Sequence, residues 1–278
     1  MQISIITINF NNLEGLKKTM LSVFNQTYQD FEFIVIDGGS TDGSTSFIEQ
    51  HSNKLTYWVS EPDKGIYNAM NKGIAKAKGE YVLFLNSGDV FHSADSITGL
   101  IENADKAYDL IYGNLRFLSK KGNLDRRYPK KLTFSYFVND RSLPHAATLI
   151  KRQLFDDIFY YNEELRIVSD WEFFICAVCK YNVSYKYADV LVSDFDMSGV
   201  SNAPEHNKKK QAERQEVLLK HFPTFIDDYK DISVLKNNRF KALKELENSA
   251  ISKKINSFLL RIQLLLFKGK RLKDLNDK

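Results

Sequence analysis

The chain has 278 residues, 43% of them apolar and 13% aromatic, with a formal charge of +4. That length accommodates one large α/β domain plus an appendage, and that composition excludes a disordered chain. So small a net charge argues against nucleic acid as a partner.

The first half alternates strand and helix patterns. Ile3 to Ile8 is a short β-branched run. MQISIITINF lacks a charged segment followed by an apolar one, so no secretory leader is expected. Leu13 to Phe24 places Leu13, Leu16, Met20 and Val23 at helical spacing. Phe31 to Ile36 reads as a second strand, closed by the turn-rich DGGSTDGS and a short helix from about Ser44 to His51. Leu55 to Val59 is a third strand, and Ile66 to Ala77 a helix ended by Gly79. Tyr81 to Leu85 is a fourth strand, apolar throughout and so expected to be covered on both faces.

The second half is less regular. Leu110 to Phe117 reads as a strand, KKGN as a hairpin turn and Leu124 to Tyr128 as the return. Ala146 to Ile150 suggests a further strand leading into a short helix, Ser169 to Tyr181 a helix and Val183 to Leu191 a strand. Beyond Pro204 the chain turns rich in Lys and Glu with helical spacing. Cys176 and Cys179 form a C-x-x-C inside a helix, where two core thiols one turn apart are the better reading than a redox pair. With no disulfide framework and no run of ~18 apolar residues to span a bilayer, a cytoplasmic protein is expected.

A repeating strand–helix order predicts a mostly parallel sheet flanked by helices. In such sheets ligands lie beyond the carboxyl ends of the strands. The segments at those ends are TINFNN, DGGSTDGS, SEPDKG and NSGD, so four polar turns gather at one edge. Small residues in DGGSTDGS allow a close approach to a flat ligand, and Asp37 ends a buried strand where its carboxylate could accept from a base N–H or a ribose hydroxyl. The same turn also suits simple capping of the next helix. Neither the G-x-G-x-x-G nor the G-x-x-x-x-G-K-[ST] phosphate pattern is present.

SIITINFNN, LSVFNQTYQDFEFIVIDGGSTDGS and SEPDKGIYNAMNKGIAKAKGEYVLFLNSGD, in this order, resemble the nucleotide-binding half of a family 2 glycosyltransferase of GT-A fold. PHAATLIKRQLF, VSDWEFF and FDMSGVSN resemble the bacterial branch that builds capsule, exopolysaccharide and O-antigen repeats (the lipopolysaccharide side chain). The resemblance implies a GT-A catalytic domain over residues 1–222, with a nucleotide-sugar half at 1–92 and an acceptor-facing half at 93–222, then a helical extension at 223–278. It implies that Asp37 holds the donor base, usually uracil. Ile8, Phe10, Asn11 and Gly39 would line the nucleoside pocket, with Asp63, Lys64 and Asn68 nearby.

NSGD stands where relatives carry D-x-D, so Asn86, Ser87 and Gly88 replace most of the acidic set and Asp89 remains. A leaving diphosphate needs its charge neutralised, which a divalent cation with oxygen ligands does well. Asp89 is therefore the expected ligand of Mn²⁺ or Mg²⁺, with Asn86 offering a carbonyl oxygen and His145 or His92 a nitrogen. Many relatives have Arg where Met70 stands, and Lys64 or Lys72 could compensate.

An inverting transfer needs one carboxylate as general base. Asp170 in VSDWEFF is the candidate by resemblance, although an Asp in a helix first turn also suits capping. Glu172 is the second choice. Trp171 would stack on a sugar or fill core, and His145 would be functional or merely a structural hydrogen-bonder. In the tail, residues 251–273 carry seven Lys and Arg and no acid, alternating with an apolar face. Such a helix suits an anionic membrane surface, packing on the catalytic domain, or a homodimer contact. The expected partners are a nucleotide-sugar and a lipid-linked saccharide. Two other readings compete: a nucleotide-binding subunit without catalysis, and a sugar nucleotidyltransferase, for which TINFNN lacks the Gly-rich basic loop.

Overall fold

The computed structural model describes residues 2–102, 108–119, 122–139, 141–196, 207–234 and 238–268. It divides into two compact units, Met1–Val217 and Leu218–Lys278.

The first unit is built on β1 (Ile3–Asn9), buried at every position. Helix α1 (Leu13–Phe24) starts where the Asn12 side chain accepts from the Gly15 N–H, and it buries Leu16, Met20 and Val23. Strand β2 (Phe31–Asp37) lies parallel to β1 with Ile3 opposite Phe31 and Asn9 opposite Asp37. Next come α2 (Ser44–Gln50) and β3 (Tyr57–Ser60), the latter parallel to β2. Helix α3 (Ile66–Lys76) crosses back so that β4 (Tyr81–Phe84) pairs with the other side of β1. A Cβ on Gly73 would lie 2.5 Å from Ile6, so only glycine allows α3 this close to β1. The strand order β3-β2-β1-β4 thus leaves β1 and β4 as central strands, which is why they are apolar runs.

The rest of this unit comprises β5 (Val90–Phe91), α4 (Ser96–Glu102), β6 (Leu110–Leu118), β7 (Leu124–Arg126), α5 (Phe134–Val138), β8 (Thr148–Lys151), α6 (Gln153–Asp157), α7 (Ser169–Cys179) and β9 (Tyr185–Asp196). Strand β8 runs antiparallel to both β4 and β6, and continues the sheet as β4-β8-β6-β9-β5, with β7 beside β6. The first unit therefore has the α/β, GT-A-type layout anticipated from the sequence, built on a single sheet that mixes parallel and antiparallel strands.

Elements of the first 85 residues lie within two residues of their expected bounds. Later ones differ more. His145–Ala147 is a 3₁₀ turn, so the expected strand from Ala146 begins at Thr148. Strand β9 starts at Tyr185 and extends to Asp196, past the expected end at Leu191. Part of KKGN, most of FDMSGVSN and the tail beyond Lys268 lie outside the described residues. Cys176 and Cys179 are both free on α7, and burial pushes the Cys179 thiol up to about 11, which makes it inert.

Helix α8 (Asn207–His221) belongs to the first unit through Val217 and its last turn to the second. The second unit holds α9 (Pro223–Val234), α10 (Asn238–Leu246) and α11 (Ala250–Lys268). Among the described residues no helix is long and apolar enough to cross a membrane.

Candidate active site

Parallel pairing of β1 with β2 brings Asn9 beside Asp37 and starts the site. Asp37 is fully buried. Its Oδ1 accepts from Asn9 Nδ2 at 2.7 Å and Ser40 Oγ at 2.6 Å, and its Oδ2 from Ser40 N at 2.9 Å and Ser60 Oγ at 2.6 Å. Burial alone raises its pKa, but the Ser40, Ser60 and Asn9 donors outweigh it and hold the carboxyl below its usual range. The sequence suggested a carboxylate with acceptor capacity to spare. In the structure that capacity is filled by protein donors, so a base N–H would have to displace a hydroxyl.

The turn after Asp37 is tied to the loop after β1. Asn11, at a left-handed φ of 48°, accepts from Thr41 N at 2.8 Å and donates its own N–H to Ser40 Oγ. Gly39, with φ of 80°, has Pro62 N 3.3 Å from where a Cβ would stand, so a side chain there meets strain and a wall. Phe10 is 64% exposed and its ring edge lies against Gly38. The Asp63 carboxylate also approaches Gly38 and accepts from Gly65 N at 2.8 Å. Ile8 is core, with only 9% exposure.

The NSGD turn is fastened to α1. Thr19 Oγ1 accepts from Gly88 N at 3.0 Å and donates to the Asp89 carbonyl at 2.7 Å. Gly88, at a φ of 108°, takes a conformation that side chains rarely adopt. Ser87 donates to the Asn12 carbonyl at 3.2 Å. Asp89 is 5% exposed. Asn86 Nδ2 lies 3.3 Å from His145 Nε2, while Asn86 Oδ1 is buried without a hydrogen-bond partner.

His145 links this turn to α7. Its Nδ1 lies 3.7 Å from Asp170 Oδ2, an ion-pair approach too long for a hydrogen bond. Tyr67 donates its hydroxyl to Asp170 Oδ1 at 3.0 Å. Burial raises the Asp170 pKa, but His145 and Tyr67 reverse this and hold the carboxyl below its usual range. For His145 burial acts downward, and the neighbouring Asp170 and Asp89 carboxylates together raise its pKa. With the ring neutral, the Asn86 N–H faces a lone pair on Nε2 and the proton sits on Nδ1, facing Asp170. A charged ring would instead call for the Asn86 amide to turn its oxygen to Nε2–H.

Two expected residues are corrected. Trp171 does not stack on a sugar where it stands: it is 1% exposed, donates to the Phe137 carbonyl at 3.1 Å and is covered by Arg214. Glu172 is also 1% exposed, and two residues along a helix points away from Asp170, so it does not share the base position. Lys72 is already paired with Glu61 at 2.6 Å, and His92 with Asp194 at 2.7 Å. Asn68 donates to Glu163 at 2.9 Å, and Lys64 projects to the surface.

Sequence reasoning missed Tyr67, Thr19 and Ser60. Each acts through a contact made only after folding, and GIYNAM carries no pattern that marks its tyrosine.

Among the described residues no group of three or more His, Cys, Asp or Glu is arranged to hold a metal ion. Asp89 with the unpartnered Asn86 oxygen fits a hard cation that keeps water and phosphate oxygens as its other ligands, whereas both His145 nitrogens are turned to Asn86 and Asp170.

A parallel-stranded α/β half with polar turns at its carboxyl edge, extended by antiparallel strands into one sheet, has the GT-A layout. The family model for glycosyl transferase family 2 matches residues 4–161, and the chain belongs to that family. A glycosyltransferase of Mycobacterium tuberculosis with no assigned substrate is 34% identical over 210 residues, covering 73% of this chain and 78% of the relative. A PGL/p-HBAD biosynthesis glycosyltransferase of Mycobacterium bovis is 29% identical over 205 residues, covering 72% and 78%. Among solved structures, S. aureus TarS 1–349 with UDP matches at a TM-score of 0.56 and 21% identity over 70% of this chain, which spans 60% of that one. The mannosyltransferase PcManGT from Pyrobaculum calidifontis, with GDP-Man and Mn²⁺, matches at 0.57 and 16% identity, covering 96% and 81%. These structural likenesses establish the fold.

Proposed function

We propose that this glycosyltransferase moves a sugar, with inversion, from a UDP-sugar to a hydroxyl of a lipid-linked saccharide in bacterial surface-polysaccharide synthesis. The observation that supports it most is the Asp170 carboxylate. It is held ionised between Tyr67 and His145, and His145 in turn contacts the NSGD turn. The acceptor hydroxyl gives its proton to Asp170 as its oxygen bonds to the anomeric carbon. The bond from that carbon to the diphosphate breaks, and the nucleoside diphosphate leaves with the electron pair. Inversion follows from a single displacement with one base.

Asp37, Phe10, Asn11, Gly39 and Asp63 hold the nucleoside. The base N–H replaces the Ser40 or Ser60 hydroxyl at Asp37, and the exposed Phe10 ring offers a stacking face. The turn of Asn86, Ser87 and Gly88 faces the diphosphate. Asp89, with Asn86 Oδ1, would hold a Mn²⁺ or Mg²⁺ ion, and His145 would orient Asn86. When bound, that ion neutralises the charge growing on the leaving group. UDP is favoured on the TarS likeness, and a glycolipid or polysaccharide acceptor on the PGL/p-HBAD relative. Helix α11 carries Lys253, Lys254, Arg261 and Lys268 with no acid, beside Phe258, Leu259, Ile262, Leu265 and Leu266. That pattern suits the anionic inner face of the cytoplasmic membrane, where a lipid-linked acceptor is reached.

A second reading is a nucleotide-binding subunit without catalysis, favoured by the loss of acids from NSGD. Titration calorimetry with UDP and GDP, each with Mn²⁺ and with EDTA, separates the cases when run beside a turnover assay. Metal-dependent UDP binding with sugar transfer upholds the enzyme, whereas binding without any transfer to bacterial lipid extracts upholds the subunit. No binding of either nucleotide overturns both.

A further inference from the structure

A cavity of about 280 Å³ opens beside the base, near the lower end of the ~300–1,000 Å³ usual for small-molecule sites. Its wall includes Tyr67, whose hydroxyl donates to Asp170. Three cations line it: Lys64 before α3, Arg166 before α7 and Lys209 on α8. Among the described residues none of the three is paired with an acid. Glu163, the one carboxylate in the wall, has its oxygens taken by the side-chain amides of Asn68 and Asn71, at 2.9 and 3.0 Å.

All three side chains are exposed and stand at the rim of a hollow whose wall is otherwise largely apolar, and the fold fixes the backbone that carries two of them. Glu213 on α8 is buried and accepts from the backbone N–H of Arg166 at 3.0 Å and of Ile167 at 2.9 Å. This clamp ties α8, which carries Lys209, to the segment that carries Arg166. The Arg166 guanidinium lies 3.4 Å from where a Cβ on Gly65 would stand, which brings it to the first turn of α3. No side chain caps the helical N–H groups of that turn, but the Asp63 carboxylate accepts from Gly65 N just before it, so the positive potential at this wall comes from the three cations. An excess of unpaired positive charge around a preformed hollow attracts an anion.

Resting on the transferase reading, we propose that this cavity receives a phosphoryl or carboxylate group carried by the acceptor saccharide, held by Lys64, Arg166 and Lys209. The acceptor is favoured over the donor because the cavity touches the base through Tyr67, while none of Asp37, Phe10 or Asp89 lines it. Asp63 and Lys64 then serve two ligands: the Asp63 carboxylate approaches Gly38 in the turn after Asp37, and the exposed Lys64 stands at the rim of the cavity. The enzyme would accept acidic saccharides and discriminate against neutral ones.

The test titrates glucose 1-phosphate, glucuronate and methyl glucoside into the full chain, with and without saturating UDP, and repeats this in R166E/K209E and R166Q/K209Q. Expected is at least tenfold tighter binding of an acidic sugar than of methyl glucoside. That advantage vanishes in the Glu variant and shrinks in the Gln variant, with UDP affinity, the check on folding, unchanged. Preference for glucose 1-phosphate identifies a phosphoryl acceptor, and preference for glucuronate a uronic one. Equal binding of acidic and neutral sugars overturns the proposal. So does an acidic preference that survives in both variants, or competition by inorganic phosphate as strong as the sugar phosphate itself. Failure of wild type to bind UDP overturns the nucleotide-sugar reading instead, and the arm without UDP still reports on the cavity.

Discussion

The turn around Asp37 and the cluster around Asp170 are both built on a buried carboxylate, yet they are finished to different degrees. At Asp37, Ser40 and Asn9 contribute from the same and the adjacent strand end, and protein donors fill both oxygens. At Asp170 the partners come from Tyr67 on α3 and His145 before β8, and the neighbouring Asn86 oxygen has no partner. A saturated carboxylate shapes a pocket and resists change. A carboxylate met by one hydroxyl, one backbone N–H and one longer ion-pair contact has fewer strong donors than Asp37 and keeps lone pairs for a proton. The difference teaches that burial with a lowered pKa is common to both, and that spare acceptor capacity separates the chemical role from the structural one.

The largest effect expected from this contrast is on turnover. Asp170→Asn keeps shape but removes the proposed base, so transfer from a UDP-sugar to lipid extract is expected to fall by about 10²–10⁴. A smaller loss, within about tenfold, would show the contrast to be misdrawn. Next in size is stability. Asp37→Ala leaves four donors, one buried and three part-buried, without their acceptor and costs about 2–4 kcal/mol in urea unfolding, whereas Asp170→Asn costs less than half as much in the same assay. Thr19→Val comes third. It removes the hydroxyl that holds Gly88 and Asp89, costs about 1–2 kcal/mol, and raises KM for the donor more than it lowers kcat.

The smallest effect is in pH dependence. Asp37 has a folded pKa below its unfolded value of about 3.9. Its contribution to stability is complete above that unfolded value, and is lost as pH falls through the lower folded one. Unfolding midpoints measured from pH 6 to pH 2 fall at the acid end in wild type, and Asp37→Asn flattens that part of the curve. An unchanged slope would mean that the hydrogen bonds at Asp37 do not favour its charged form.

The two regions also differ in how far the sequence reveals them. ISIITIN, FEFIVID and YVLF declare themselves because a central parallel strand must be apolar on both faces. The Asp37 turn follows from them, since parallel register sets Asn9 beside Asp37. The Asp170 cluster is legible only through resemblance to a family. Its members come from residues 67, 86, 145 and 170, joined by the antiparallel insertion of β8 next to β4, which no local pattern announces. Trp171 and Glu172 show the same limit from the other side. VSDWEFF places acids and an aromatic together, but helix phase turns only Asp170 to the site while α5 covers the tryptophan. The two-residue β5 and the short α5 fall below what periodicity can detect.

The central claim is a division of labour: the Asp37 turn binds nucleotide and the Asp170 cluster performs the transfer. UDP titration with Mn²⁺ and single-turnover transfer, run together on Asp37→Asn and Asp170→Asn, test it directly. The expected pattern is crossed. Asp37→Asn loses UDP affinity by at least tenfold, and at saturating donor keeps most of its rate. Asp170→Asn binds UDP within twofold of wild type and loses at least a hundredfold in rate. UDP affinity lost equally in both variants, or a rate preserved in Asp170→Asn, would contradict the account.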